Sequence, residues 1–415
     1  MKLPVKKMNN IIKSLENYHI TPFNFFILLL SICFIRNFLE GFIGYSKTIG
    51  TNQDIKITIT QMGALFNLEW ITLYLFIVLL IYFITKTNII SIFKISLVFY
   101  NIIIIVPVLD FFIYFPSGCK IDYLYTVSDY ISALLYFFVP FKDIKVCSGI
   151  RIEVFFSCIF IFMYIFIKTE NFMKSLLGAL ILYFLAISSM AYPVFILLVF
   201  LPVYHGQFDN FVNNFFFTPS FLGSFLNKFS IMIVFLLIPL LLITYKIYYK
   251  DKKFLFMIKQ IFSVDTFIIF FTIFAGFISG YGFSNLFTSL FNIIFLIFIF
   301  IFSFTLNICL TNNFKIEKDI KKILFILLLI FALSISFNNF LMIVLLFSVW
   351  YIFNIFEPFI KSIFFDLFFY LFIFIILFIS SYTIAPSEIQ INPLNLSVII
   401  LFSLIYLYRQ KRHGN

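Results

Sequence analysis

The sequence predicts an all-α, polytopic transmembrane protein of about twelve spans with both termini cytoplasmic. Three observations carry that expectation. Of the 415 residues, 11% are charged and 63% hydrophobic, where a soluble protein keeps roughly a quarter of its residues charged; mean hydropathy is +1.11. Apolar runs of about twenty residues recur along the whole chain, the length that crosses a hydrocarbon core of roughly 30 Å. Lysine and arginine gather in every second connecting segment, as orientation by positive charge requires.

In chain order the runs fall near 23–44, 70–86, 92–114, 152–167, 175–203, 229–248, 262–282, 288–310, 323–337, 340–356, 365–384 and 394–408. The first follows MKLPVKKMNNIIKSLENYHITP, and no small-residue cleavage site comes after it, so it reads as an uncleaved span, not a signal peptide. The runs at 323–337 and 340–356 are short and predict a tight hairpin that underfills or thins the bilayer. Between 115 and 151 lies PSGCKIDYLYTVSDYISALLYFFVPFKDIKVCSGIR, whose apolar centre (131–141) is too short to span. With its neighbours crossing, this segment is extracytoplasmic and its centre interfacial or re-entrant. Tyr123, Tyr125, Tyr130 and Tyr136 suit such an interface.

The cationic segments alternate consistently with an inward N-terminus. They hold Lys6, Lys7 and Lys13, then Lys86 and Lys94, then Lys168 and Lys174. A central basic loop, KIYYKDKKFLFMIKQ (246–260), comes next, followed by the lysines of 315–322 and by Arg409, Lys411 and Arg412. That loop divides the chain into a six-span N-terminal membrane domain, 1–250, and a six-span C-terminal one, 251–415. The location expected is a prokaryotic cytoplasmic (inner) membrane.

Composition also limits function. The 68 phenylalanines accompany abundant Ile, Asn and Lys, the pattern of AT-rich coding, and bury apolar area against lipid and neighbouring helices as leucine would. A net charge of +11 is explained by the loop cations, and no nucleic-acid-binding module is present. His19, His205 and His413 are scattered, no Cys/His spacing fits a metal site, and there is no nucleophile elbow, phosphate-binding glycine loop or zinc-protease helix. No cofactor is expected from these residues.

Polar candidates remain. Arg36 and Glu40 lie one helical turn apart in the first run, beside Asn37. Ionisable groups in a membrane are costly unless paired or hydrated, so the pair reads either as a ligand or ion contact or as mutually neutralising groups that snorkel to the headgroups. Asp110 follows Pro107 in the third run and serves either proton or cation coupling or the outer interface. Cys119 and Cys147 share the outer segment, where an oxidising compartment allows a disulfide or leaves two free thiols.

At 310–319 the chain reads LTNNFKIEKD, directly after the apolar run FNIIFLIFIFIFSFTLNIC; a short helix pair and then YIFNIFEPFIKSIFF (351–365) follow. Over residues 260–385 this order resembles the first half of UbiA-type intramembrane prenyltransferases, whose second helix runs into a cytoplasmic loop of the form N-D-x-x-D-x-x-x-D. Matched residue by residue, the loop's Asn falls on Thr311, its first Asp on Asn312, its second on Lys315 and its last on Asp319, with Glu317 kept as the acid common within the motif. The family holds an isoprenyl diphosphate through Mg²⁺ gripped by carboxylates. Lysine touches phosphate but coordinates no metal, so Mg²⁺ is implied only if the altered motif still works. After Asp319 the one remaining aspartate is Asp366.

The resemblance implies a UbiA-like C-terminal half that handles a lipid or isoprenoid without full catalytic competence. Phosphate contacts would lie at Asn312, Lys315 and Asp319, and the partners would be membrane lipids or a prenyl diphosphate. A twelve-span secondary transporter using Arg36, Glu40 and Asp110 is the alternative from another class, and an active prenyltransferase with a non-standard site is the third.

Overall fold

The computed structural model describes residues 12–44, 61–114, 119, 124, 126–139, 144–191, 225–281, 290–310, 317–356, 362–382 and 393–414. Among them there is helix and no strand. Among the described residues nine helices are long and apolar enough to cross a membrane, and large apolar side chains such as Phe112 (73% exposed) and Met173 (71%) stand on their surfaces. Water would not tolerate that surface, whereas lipid does. The chain is therefore a helical, multi-pass membrane protein.

It folds into two compact units, Met1–Val212 with Leu236–Lys250, and Asn213–Phe235 with Asp251–Asn415. The first contains α1 (Pro22–Gly44), a π-helical turn (Gln61–Leu65) running into α2 (Phe66–Thr85), α3 (Ile89–Tyr100), α4 (Ile102–Ile113), α5 (Val127–Tyr136), α6 (Ser148–Thr169) and α7 (Phe172–Met190). Helix α8 (Phe225–Ile261) supplies segments to both units. The second unit adds α9 (Val264–Tyr281), α10 (Leu290–Leu310), α11 (Lys318–Ile335), α12 (Phe337–Phe356), α13 (Ile363–Tyr382) and α14 (Pro393–Gly414).

In the first unit, α2 packs on α1, α3, α6 and α7, α4 packs on α1 and α6, and α6 lies along α7. Two hairpins share one design. Lys86 and Glu170 close α2 and α6 in the left-handed region (φ 55° and 51°), and each donates its N–H to the carbonyl four residues back, Tyr82 or Phe166. Asn88 and Asn171 then open α3 and α7 by accepting N–H bonds from Ile90 and Lys174. Gly178 lets α7 approach α6, because a Cβ there would collide with Ile165 Cδ1. At this end Glu16 accepts from Tyr164 (3.0 Å) and pairs with Lys168 (2.6 Å), while its carbonyl accepts from Lys94 (2.9 Å).

The run at 92–114 falls in one candidate span, Ile89–Ile113, within which α3 and α4 meet at Asn101, whose side chain donates to the Leu97 carbonyl (3.0 Å) and so competes with the regular ladder. One expectation changes. The expected central basic loop, 246–260, is instead helix, the C-terminal part of α8. Its residues are Lys, Leu, Ile, Met, Phe, Gln, Asp and Tyr, with no Gly or Pro to interrupt them, and lysine is a good helix former. Of the apolar centre at 131–141, residues 131–136 fall in α5, a ten-residue helix started by Thr126, which accepts from Asp129 N (3.1 Å). Arg151 finishes it by donating to the Tyr136, Phe137 and Val139 carbonyls.

In the second unit, α9 packs on α10, α13 and α14, and the chain α10–α11–α12–α13 closes a ring back to α9. Helices α11 and α12 form the expected hairpin, turning at Ser336 in extended conformation, but α12, expected as a short run, has 20 residues and is long enough to cross a membrane.

Candidate functional site

The strongest polar constellation lies inside the first unit, built on α1, α2 and α6. Arg36 and Glu40 sit at i and i+4 on α1, and Nη1 of Arg36 pairs with Glu40 Oε2. The guanidinium also lies 4.1 Å from the centroid of the Trp70 ring on α2, a cation–π stack. Next to it runs a hydrogen-bond ladder: Trp70 Nε1 donates to Asn37 Oδ1 (3.1 Å), Asn37 Nδ2 to Asn67 Oδ1 (3.1 Å), and Asn67 Nδ2 to the Gly63 carbonyl (3.0 Å). Gly63 belongs to the π-helical turn that opens α2, a feature that re-aims helical side chains. Tyr100 of α3 fixes the same region by donating to the Trp70 carbonyl (2.7 Å). The sequence thus holds Arg36 in place by its pair, its stack and a braced neighbour.

Arg36 is 1% exposed, yet its Nε and Nη2 have no hydrogen-bond partner among the described residues. Glu153, on the second turn of α6 and 7% exposed, has an Oε2 in the same condition. Both side chains line one cavity of about 80 Å³, which Glu40 and Glu69 also border. The rest of its wall is mainly apolar, including Leu73, Ile77, Ile103 and Leu182. A buried polar atom left unsatisfied costs on the order of 1–3 kcal/mol, so three of them around one hollow mark a place built to receive something polar.

The other sequence candidates are distributed differently. Asp110 on α4 is 3% exposed and accepts the backbone N–H of Gly149 at 2.6 Å, at the beginning of α6. Tyr114, one turn on, shares a 2.7 Å bond with Ser148. Asp110 does not border the Arg36 cavity; it anchors a helix start. Cys119 and Cys147 are joined by a disulfide with their Cα atoms 5.9 Å apart, beside an apolar cluster that includes Phe137, Ile150 and Ala186. Asp129 on α5 pairs with Lys145 at 2.9 Å. Partial burial pulls its carboxyl pKa up, but the bonds from Lys145 and Thr126 outweigh that and leave it lowered.

Of the residues matched to the prenyltransferase loop, Asn312 and Lys315 lie outside the described residues. Asp319 is in the first turn of α11, 29% exposed, with Lys322 Nζ at 3.9 Å. In the same unit, Ser263, Thr266 and Asn307 form a hydrogen-bonded knot across α9 and α10, and Arg409 donates to Asp265 at 2.6 Å. Among the described residues no three His, Cys, Asp or Glu side chains come together as metal ligands.

Sequence reasoning found Arg36 and Glu40 but missed Glu153, Glu69 and Trp70. A signal existed for the acids: each is a lone carboxylate within an apolar segment, RIEVFFSC and FNLEWITLY. Nothing in one dimension places them on a common hollow. No family model matches the chain, and neither a curated protein nor a solved structure matches it.

Proposed function

We propose that the protein is a membrane carrier for a small polar solute, bound in the first unit at the cavity between Arg36 and Glu153. About twelve spans with both termini cytoplasmic would frame it. The lysine-rich hairpin ends at Lys86, Lys94, Lys168 and Lys174 would face the cytoplasm, and the disulfide-bearing end would face outward.

The observation that carries the reading is that Arg36 and Glu153 have buried polar atoms without a hydrogen-bond partner among the described residues, on one cavity within largely apolar helices. An ionisable side chain deep in a membrane costs at least about 2.5–3.5 kcal/mol, and such residues mark solute and ion paths. Pairing with Glu40 neutralises Arg36 but occupies only one of its nitrogens. The test is uptake by proteoliposomes offered a defined mixture of amino acids, organic acids, amines and sugars, read by mass spectrometry. Arg36-dependent accumulation of a solute, lost in Arg36→Lys, is the expected result. Identical contents in loaded and protein-free liposomes would overturn the reading.

A second reading assigns lipid handling to the UbiA-like half. It rests on the succession of α10, a polar segment carrying Asn312 and Lys315, and the α11–α12 pair beginning near Asp319. Among the described residues of that unit, a cavity bounded by Ile269, Trp350 and Phe374 measures about 10 Å³, room for roughly one water. Retention of isoprenoid after purification, detected by mass spectrometry, would favour this reading over the first.

A further inference from the structure

The geometry points to a zwitterionic ligand at the Arg36–Glu153 cavity: a small α-amino acid with an apolar side chain, its carboxylate on Arg36 and its ammonium on Glu153. The inference rests on the carrier reading for the site and adds the chemical class.

Three features select that class. First, the nitrogens of Arg36 without a partner among the described residues are Nε and Nη2, while Nη1 is held by Glu40. Nε and Nη2 form one edge of the guanidinium, and their N–H bonds run parallel, which fits the two oxygens of a carboxylate. The Trp70 ring under the guanidinium and the bond to Glu40 fix the plane of that edge before anything binds. Second, Glu153 contributes an acceptor, Oε2, without a donor among the described residues. A ligand presenting only an anion would satisfy Arg36 and leave that oxygen stranded, and one presenting only a cation would do the reverse. Third, the wall between them is apolar and the hollow small. At roughly 10–15 Å³ per ordered water, about 80 Å³ admits a group of a few heavy atoms, and Leu73, Ile103 and Leu182 offer a surface to a short hydrocarbon side chain.

The experiment uses the full-length protein in lipid nanodiscs. Equilibrium dialysis and thermal unfolding are followed with glycine, alanine, valine and leucine, with the matched carboxylates acetate, propionate, isobutyrate and isovalerate, and with the matched alkylamines. The zwitterions should bind at least about tenfold more tightly than either half-ligand, since each charged contact is worth that much. Arg36→Lys keeps the charge facing Glu40 but removes the parallel edge, and should abolish binding of zwitterions and carboxylates alike. Glu153→Gln keeps the shape and should bring zwitterions down to the carboxylate level. Equal binding of carboxylates and zwitterions to the unaltered protein, indifference to Glu153→Gln, or no binding by any amino acid would overturn the proposal. Each of those results leaves the carrier reading standing if another solute is accumulated in an Arg36-dependent way, whereas amino-acid binding without any uptake would sink the carrier reading and keep this one.

Discussion

The carboxylate of Asp110, on α4, accepts the backbone N–H of Gly149 at 2.6 Å and thereby caps the first turn of α6 from a different helix. Free N–H groups at a helix start need an acceptor, and the helix dipole favours an anion there. The space is fully used: a Cβ on Gly149 would lie 2.7 Å from Asp110 Cγ. Gly149→Ala should therefore separate α4 from α6, and Asp110→Ala should cost about 1–2 kcal/mol. Asp110→Asn retains the acceptor and should cost less. Thermal unfolding in detergent checks the order; an Asp110→Ala protein as stable as the parent would refute the capping role.

The disulfide ties Cys119, in the segment after α4, to Cys147 at the start of α6, closing a loop that carries α5. Closing a loop over a sequence separation of 28 residues is worth at most about 3–4 kcal/mol by loss of unfolded-state entropy. Reductant should lower the melting temperature of the parent, and the double variant Cys119→Ser with Cys147→Ser should already sit at the lower value and ignore reductant. Free thiols labelled stoichiometrically at both positions without reduction would contradict this.

Asp129 gives a pH dependence whose direction is fixed. Its folded pKa is lowered, with Lys145 and Thr126 overcoming burial, so the pair's stability is present above the unfolded carboxyl value and disappears as pH falls through the lowered one. Lys145 is 67% exposed, which limits the effect to about 1 kcal/mol or less. Stability measured from pH 7 down to pH 3 should decline less steeply for Asp129→Asn than for the parent, and parallel curves would rule out the pair's contribution.

Trp70 is a built-in reporter. The protein has 2 tryptophans, and Trp70 lies against the Arg36 guanidinium on the cavity wall. In a Trp350→Phe background, saturating alanine or valine should change Trp70 emission, with the change lost on adding Arg36→Lys. Unchanged emission at concentrations that bind by dialysis would place the ligand elsewhere.

Orientation is tested by fusions. A fluorescent protein on the C-terminus should fold and fluoresce in the cytoplasm, while alkaline phosphatase inserted at the Cys119–Cys147 segment should be active. The opposite pattern would invert the proposed topology.

What the sequence revealed and concealed follows from the range of each signal. Helix positions were legible because a span needs an unbroken apolar run, and the hairpin turns announce themselves with Asn88 and Asn171. Local charge spacing exposed Arg36 and Glu40, which are neighbours on one helix. The helical character of 246–260 was hidden because positive charge signals a membrane boundary but says nothing against helix, and lysine permits both. Glu153 and Trp70 were illegible as site residues: they meet Arg36 only after α1, α2 and α6 pack, and no periodicity encodes that meeting. Asp110 read as a candidate for coupling because its partner is a backbone N–H, that of Gly149, a group no side-chain pattern advertises.

Everything proposed for the cavity turns on a small ligand, and not the protein itself, completing Arg36 and Glu153. An experimental structure of the protein in nanodiscs with excess alanine, at a resolution that separates side chains, would decide the matter. Non-protein density is expected within hydrogen-bond distance of Arg36 Nε and Nη2 at one end and of Glu153 Oε2 at the other. A side chain from the protein seated on that edge of Arg36, with no room left for alanine, would refute the assignment.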